Sequence, residues 1–360
     1  MNKLKKREYF AYQIINKNKK AINSKISLNQ LSNEMSKVDN EFFTDFKIWS
    51  VLIIKWHFDY INSYLLNPSN LNSTISKLYE LTLVFKDLSK SNWILKKQTE
   101  KFLINKWRKS EKTYDFLWPK TTKDKFQKIS RKMVEPRVKQ ILAEIPNKFL
   151  KNKLILDSGC GTGRYIECFL KQKPKKIIGM DRGVSIIKEN KKRFKKFKNL
   201  EFKVGDIKKI PYKNEVFDFV CSAGVLHHSG QKLEKLINEH YRVIKKNGYF
   251  FIFITAKGGL LSETWNFARK LLKDVPVNYV YNYLEKKINP LRMQGFVDHI
   301  YTSNIPTKRL RLEKILKKKF TKVTRLKGIM GADLTPEIYK KDKFYKKRFG
   351  EGDLRYICKK

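Results

Sequence analysis

The segment LILDSGCGTGRY, residues Leu154 to Tyr165, is an apolar run that ends at the carboxylate Asp157 and continues into three glycines at alternate positions. A short apolar run bounded by glycines is consistent with a buried strand. A glycine-rich turn between a strand and a helix lets backbone N–H groups approach a ligand closely. We therefore expect a strand, a tight turn and a helix here, with the turn forming part of a binding site.

Short apolar segments alternate with charged amphipathic segments from Lys151 onward, which is typical of a parallel sheet covered by helices on both faces. The last two of the predicted strands are expected to pair as an antiparallel hairpin at the sheet edge. The sequence thus predicts an α/β fold with a Rossmann-like, mostly parallel sheet of seven strands. The predicted strands are KLILDS (153–158), KIIGMD (176–181), LEFKVGD (200–206), FDFVCSA (217–223), YFFIFIT (249–255), FTKVTRLKG (320–328) and LRYICK (354–359).

The chain before this sheet is expected to be helical. Residues 1–110 lack the alternation of apolar and polar residues that is typical of strands. They are predicted to form a helical accessory region that covers the substrate side of the binding site or mediates self-association. Helices are predicted over Asp45–Leu66, over Ile75–Leu88 with Ser73 or Thr74 as its cap, and over Ser130–Ile145. Residues 111–150 are expected to form an aromatic connector with the last of these helices. Residues 151–360 are expected to form one domain with a lid insert at 257–306.

Composition limits the class of protein. The 360 residues include 80 Lys and Arg against 34 Asp and Glu, a formal charge of +46. A protein with such a charge can bind nucleic-acid backbones. Lysines spread over nearly every segment, however, also fit solvent-exposed faces and a coding bias towards A and T. The best candidate for a basic patch is Lys188–Lys203. Four widely spaced cysteines without metal-ligand spacing predict free thiols in a reducing compartment, and no apolar run approaches a membrane span. We expect a cytoplasmic protein, with its oligomeric state open.

Three further features follow the glycine turn in order. The turn reads G-x-G-x-G, unlike the dinucleotide fingerprint G-x-G-x-x-G, and a simple tight turn is the alternative interpretation. The second strand ends at Asp181, where a carboxylate can accept both hydroxyls of a ribose. The third ends at Asp206-Ile207, an acceptor for an exocyclic amine beside an apolar wall for a purine. The fourth reads FDFVCSAGVLHH, residues Phe217 to His228.

This ordered set resembles the class I S-adenosylmethionine-dependent methyltransferases of the broad type 11 group, closely over residues 151–255. The resemblance implies S-adenosylmethionine as the cofactor. A carboxylate-lined cradle suits a sulfonium cofactor that carries no phosphate. By this resemblance, the loop under the methionine part of the cofactor would be formed by Asp157, Gly159, Gly161 and Gly163. The ribose would be bound by Asp181 and the adenine by Asp206 and Ile207. Ser222 and Ala223 would line the side of the sulfonium.

Two histidines are the candidate catalysts. An oxygen acceptor of high pKa needs a base within hydrogen-bond reach, and His227 and His228 stand where the fourth strand enters its loop. We prefer His228, which is the more loop-like of the two. The alternative is that both histidines pack or cap the loop. Cys221 is expected to be a core residue, and no metal site is predicted.

The acceptor is less clearly defined by the sequence. The fourth-strand loop lacks the proline-containing clamp used for exocyclic amines of nucleic-acid bases, and an aromatic insert follows the fifth strand, which favours a small or lipid-like acceptor. A methyltransferase acting on RNA or another macromolecule through basic patches is the second hypothesis, and a non-catalytic cofactor-binding scaffold is the third. The insert's aromatic residues, which can also form its own core, are Trp265, Phe267, Tyr279, Tyr281, Tyr283, Phe296 and Tyr301.

Overall fold

A computed structural model of the chain describes residues 26–38, 41–90, 113–114, 116–117, 124–285, 288, 290–326 and 342–360. The basic N-terminal stretch and most of the predicted aromatic connector lie outside these residues. The chain divides into two compact units. The first takes residues up to 106 together with 258–283 and 344–349, and the second takes the remainder. The interval predicted as a single lid insert is thus divided between the two units, and the predicted domain boundaries stay a prediction.

The described residues form helices in both units and strands in the second. The helices, in chain order, are α1 (Leu28–Ser36), α2 (Glu41–Ser63), α3 (Asn72–Lys90), α4 (Asp124–Ala143), α5 (Arg164–Leu170), α6 (Val184–Arg193), α7 (Leu233–Val243), α8 (Gly259–Leu271), α9 (Val277–Leu284), α10 (Pro290–Tyr301), α11 (Arg309–Lys317) and α12 (Tyr345–Phe349). The strands are β1 (Leu154–Ser158), β2 (Lys176–Asp181), β3 (Leu200–Val204), β4 (Phe217–Ala223), β5 (Ile244–Thr255), β6 (Lys322–Arg325) and β7 (Asp353–Lys359).

The helices α1, α2 and α3 of the first unit follow local signals in the sequence. A capping box opens α1, because the Ser27 side chain accepts from the Gln30 N–H while the Gln30 side chain reaches back to the Ser27 N–H. The two predicted helices, 45–66 and 75–88, are confirmed as α2 and α3 with somewhat different bounds. The predicted cap of α3 is wrong: a 3₁₀ turn over Pro68–Leu71, capped by Asn67, leads directly into α3. Ser73 and Thr74 therefore lie inside the helix.

The second unit is built on one seven-stranded sheet of order β3-β2-β1-β4-β5-β7-β6. Neighbouring strands from β3 to β5 are parallel, whereas β7 is antiparallel to both β5 and β6. The predicted fold class is confirmed, including the antiparallel pairing of the last two strands. The pair is not a tight hairpin, since residues 326–352 separate its strands and β7 lies between β5 and β6.

Helices cover both faces of this sheet, as the alternating pattern predicts. One face packs against α4, α5 and α6, where Val138, Phe169 and Ile187 join the buried core. The other packs against α7 and α11, where Ile237 and Leu316 are fully buried. The parallel strands β1 to β4 run in the same direction, so their carboxyl ends meet at a single edge. Among the described helices, none combines the length and the apolar character needed to cross a membrane.

Candidate functional site

The three glycines of the turn after β1 have a backbone conformation that other residues rarely adopt. Their φ angles are 85° at Gly159, 47° at Gly161 and 75° at Gly163. The turn is attached to the neighbouring strand, because the Gly159 and Cys160 N–H groups both donate to the Met180 carbonyl, at 2.7 and 2.9 Å. Gly163 then caps the start of α5. The predicted strand, turn and helix are all present.

Close packing is a second reason for glycine at two of these positions. A Cβ on Gly159 would lie 2.5 Å from the side chain of Val225, and a Cβ on Gly163 would lie 3.0 Å from the ring of Phe194. Because real Cβ atoms do not approach so closely, a larger residue at 159 requires the Val225 side chain or the turn to move. The backbone of the turn is thus held in one position at the edge where the strands end.

Asp181 links the turn to the end of β2. One oxygen of its carboxylate accepts the Gly161 N–H at 2.9 Å, and the other accepts the Gly183 N–H at 3.0 Å. A carboxylate can accept more than two hydrogen bonds, so these contacts are compatible with further donors such as hydroxyls. The arrangement fixes the carboxylate at the carboxyl edge of the sheet.

Asp157 is a buried acid in the middle of this edge. Its side chain is 2 % exposed, and its residue pairs with Gly179 of β2 and Cys221 of β4. Burial raises the pKa of Asp157 to about 7, and the charge of Asp181 adds to the increase, while Cys221 and Arg164 lower it. A positively charged ligand beside Asp157 would favour its ionised form.

The other predicted cofactor residues also lie where strands end. The Asp206 carboxylate follows β3, accepts the Lys208 N–H at 2.9 Å and lies 3.7 Å from Nε of Arg182. Ile207 beside it is buried. At the end of β4, Ser222 is fully buried, and its hydroxyl has no hydrogen-bond partner among the described residues. Ala223 pairs with Phe253 of β5. An unsatisfied buried hydroxyl of this kind calls for a ligand or a water.

The two candidate histidines have different surroundings. His227 is 6 % exposed, its Nε2 lies 3.2 Å from the Thr255 hydroxyl, and its carbonyl accepts the Ile305 N–H. These contacts fit the alternative that His227 packs or caps the loop and does not act as a base. Nδ1 of His228 lies 2.5 Å from the Ser303 carbonyl, so Nδ1 carries a proton there and Nε2 can accept one. Cys221 is fully buried in the core, as expected.

Residues distant in the sequence surround His228 and were not predicted. The Tyr114 hydroxyl donates to the Asp298 carboxylate at 2.6 Å, and the Tyr114 ring lies edge-on to the His228 ring. Asp298 lies 4.0 Å from Nε2 of His228. Burial, followed by the charge of Asp298, raises the pKa of Tyr114. No local pattern could reveal this group, because its members come from segments more than 60 residues apart.

Most of the aromatic residues in the predicted lid are buried, and they belong to different units. Trp265, Phe267 and Tyr281 are at most 8 % exposed within the first unit. Phe296 is buried within the second. Buried aromatic side chains contribute to a hydrophobic core, which agrees with the alternative interpretation that the aromatic residues of the insert form a core. The aromatic composition therefore gives little support to an apolar acceptor pocket.

A family model matches the middle of the chain. Residues 156–252 match the family model described as a methyltransferase domain. That interval contains the glycine turn, Asp181, Asp206 and the β4 loop, on the sheet described above. The chain therefore contains a region that matches a methyltransferase domain.

Parts of the chain are also similar to methyltransferases of other organisms. The chain is 30 % identical over 151 residues to a tRNA (carboxymethyluridine(34)-5-O)-methyltransferase of Arabidopsis thaliana, covering 40 % of this chain and 32 % of that protein. It is 30 % identical over 123 residues to a probable tRNA methyltransferase 9B of Bos taurus, covering 34 % and 24 %. It is 27 % identical over 118 residues to a malonyl-[acyl-carrier protein] O-methyltransferase of Hamiltonella defensa, covering 32 % and 44 %. The chain spans less than half the length of each.

Proposed function

We propose that the protein is an S-adenosylmethionine-dependent methyltransferase that binds its cofactor at the carboxyl edge of the sheet. The observation that carries the proposal is the glycine turn held between Asp157 and Asp181, with two N–H groups on the Asp181 carboxylate. Acids at a ligand site in so basic a chain suit a ligand with hydroxyls, an amine and a positive sulfur. The proposed binding residues are Asp157, Gly159, Gly161, Gly163, Asp181, Asp206, Ile207, Ser222 and Ala223.

The described residues fit this cofactor. The three glycines of the turn have positive φ angles, a conformation that places backbone groups of the turn where a ligand can approach them. The buried hydroxyl of Ser222 offers an unused polar atom on the side proposed for the sulfonium. Asp157 can lose its proton to balance a positive charge, because its pKa lies near neutrality. These features support the cofactor over a dinucleotide, which would bring phosphates to the same acids.

The protein's part in the reaction is mainly to position the acceptor and exclude water. When bound, S-adenosylmethionine supplies a methyl carbon already activated by its positive sulfur. Holding an acceptor in line with that carbon accelerates a direct displacement. We assign His228 as the base for an oxygen acceptor, since its Nδ1 is bound to the Ser303 carbonyl and its Nε2 can accept a proton. His227 is assigned a packing role.

For the acceptor, we favour RNA. Two of the relatives reported above are named as tRNA methyltransferases, and the net charge of +46 suits phosphate backbones. Lys191 and Lys192, in the last turn of α6, are exposed. The sequence-based preference for a small or lipid-like acceptor is the second candidate, and its support is the relative named as a malonyl-[acyl-carrier protein] O-methyltransferase. A cytoplasmic location suits either acceptor.

Methyl incorporation from labelled S-adenosylmethionine into fractionated cell extract distinguishes these acceptors. The reaction is run at near-physiological salt, because a basic protein binds RNA unspecifically at low salt. We expect label in the RNA fraction that survives repurification and is lost after ribonuclease treatment. Label confined to the small-molecule or lipid fraction would establish the second candidate instead. Asp181→Ala serves as the control that separates transfer by this protein from a contaminant.

A further inference from the structure

The helix α2 of the first unit is apolar on two opposite faces. One face packs into the unit, where Val51, Ile54 and Phe58 are at most 2 % exposed. The other face carries exposed apolar side chains at positions three or four apart, which is the spacing of one helix face. These side chains, which we call the apolar stripe, are Ile53, Trp56, Tyr60 and Tyr64, with exposed fractions of 38, 37, 54 and 66 %.

The aromatic rings along this face contact one another. Tyr64 comes directly after α2, and its N–H still donates to the Tyr60 carbonyl at 3.1 Å. The centres of these two rings are 4.7 Å apart. Further towards the start of the helix, Trp56 packs edge-on against Trp49, with ring centres 6.0 Å apart. A helix that is apolar all round belongs in a core, and an exposed apolar patch marks an interaction site. The outer face of α2 therefore requires a covering surface.

The charge of this region indicates what the covering surface is. Residues 41–90 contain five Lys against five Asp and Glu, a formal charge of zero, whereas the whole chain carries +46. On α2 itself, Lys55 forms an ion pair with Asp59, and Asp45 accepts the Tyr279 hydroxyl at 2.8 Å. A phosphate backbone is bound by cations, so RNA is poorly matched to the stripe. Two copies of a strongly basic chain repel each other, and a neutral surface is where they can approach.

We propose that the apolar stripe of α2 is the surface through which two copies of this chain associate. A neutral aromatic face is complementary to a second copy of itself, and a twofold arrangement brings the same face of both partners together. Of the two roles that the sequence leaves open for the helical region, the stripe thus favours self-association. The dimer would form whether or not the chain binds S-adenosylmethionine.

The size of the stripe fits a weak, reversible dimer. At about 200 Å² for a whole aromatic side chain, the exposed parts of the four residues amount to roughly 400 Å² in each copy. Two copies would therefore bury roughly 800 Å² from the stripe alone, close to the roughly 1,000 Å² at which specific interfaces begin. Flanking residues of the two helices would add the remainder.

Sedimentation velocity of the full chain, treated with ribonuclease, tests this dimer. We expect monomer and dimer to exchange between about 1 and 100 µM, because interfaces of this size are weak. The variants are Tyr60→Glu, which puts a charge into the stripe, and Tyr60→Ala, which removes the ring. Leu310→Glu, at an apolar position on α11 that is 67 % exposed, is the matched control. Circular dichroism of each variant establishes that it is folded.

Tyr60→Glu should weaken dimerisation about a hundredfold or more, because each dimer would bury two charges without partners. Tyr60→Ala should weaken it about tenfold or more, since an aromatic anchor is lost from both copies. Leu310→Glu should leave the dissociation constant within about twofold, although it changes the net charge equally. Added salt should strengthen the dimer of the unmodified protein, because it screens the repulsion between two basic chains.

The proposal is overturned if the chain stays monomeric up to about 100 µM, or if Tyr60→Glu dimerises as well as Leu310→Glu does. A dimer that weakens with added salt would also overturn it, because that dependence indicates bridging by residual RNA. A monomer that sediments with phosphatidylcholine vesicles, and loses this binding in Tyr60→Glu, would show that a lipid surface covers the stripe instead. Cofactor binding, and with it the proposed function, is measured separately and does not depend on these results.

Discussion

Buried polar side chains have different surroundings in the helices of the first unit and at the carboxyl edge of the sheet. In the helices, the hydroxyls of Ser32, Ser50 and Thr82 each donate to a backbone carbonyl three or four residues earlier, at 2.7 to 2.9 Å. At the sheet edge, the Ser222 hydroxyl has no partner among the described residues, and Asp157 is buried with a raised pKa. Buried polar groups without local partners cost free energy. The difference indicates that the buried polar groups at the sheet edge require a ligand, whereas those in the helices are satisfied within the helices.

Gly159→Ala should have the largest effect on this edge. The substitution places a Cβ at positive φ and within 2.5 Å of Val225, which together should cost about 2–5 kcal/mol. Gly230→Ala is the control, since Gly230 has a φ of 70° but nothing within 4 Å of its Cβ position. Denaturant unfolding should show a loss of only about 1–2 kcal/mol for the control. Equal losses in the two variants would mean that the turn is not closely packed.

Asp181→Ala should weaken binding of S-adenosylmethionine about ten- to a hundredfold in a folded protein, because a charged acceptor is removed. The matched control is Asp218→Ala, since Asp218 also accepts a backbone N–H, from Leu154 at 2.9 Å, at the opposite end of the sheet. Calorimetry should show an unchanged affinity for the control. An unchanged dissociation constant for Asp181→Ala would place the ribose elsewhere.

Asp157 should make the free energy of unfolding depend on pH. Its pKa is raised from 3.8 to about 7 in the folded chain, so the folded state holds a proton that the unfolded state has lost within this interval. Stability should therefore fall with rising pH across that interval, by at most about 1.4 kcal/mol per pH unit, and level off above it. Urea unfolding of the protein and of Asp157→Asn at several pH values isolates this contribution. Parallel curves for the two proteins would contradict it.

Two serine substitutions should have the smallest effects on stability. They compare a helix of the first unit with the carboxyl edge of the sheet. Ser50→Ala removes a hydroxyl with a partner and should cost about 1 kcal/mol. Ser222→Ala removes a buried hydroxyl without one, so the unliganded protein should be unchanged or slightly more stable. Both values come from denaturant unfolding. A larger loss at Ser222 than at Ser50 would show that the Ser222 hydroxyl is already satisfied.

The sequence is informative where the signal is local. All seven strands were predicted within a few residues, because apolar runs and glycine turns mark them. The start of β5 was missed: Ile244 pairs with Phe217, across an irregularity in the register, before the dipeptide Asn247-Gly248, which is typical of a turn. Asn247 has a φ of 64°, so the strand continues through a position that reads as a turn. Pairing with β4 extends the strand, and no local pattern reports it.

The candidate site also has one part that local sequence signals predict and another part that they do not. Acids directly after strands could be assigned to one edge, since parallel strands end together. The group formed by Tyr114, Asp298 and His228 could not, because long-range packing brings its members together. Arg137 on α4 and Arg355 on β7 are a second example, since their guanidinium groups lie 5.1 and 5.0 Å from the centre of the Phe253 ring.

The central claim is that the acid-headed glycine turn holds a sulfonium cofactor and not a dinucleotide. Titration calorimetry of the full chain with S-adenosylmethionine, S-adenosylhomocysteine and NAD tests it most directly. The account predicts binding of the first two, with affinity for S-adenosylmethionine that rises as the pH passes the Asp157 pKa of about 7, and no heat with NAD. Binding of NAD without a response to S-adenosylmethionine would contradict it.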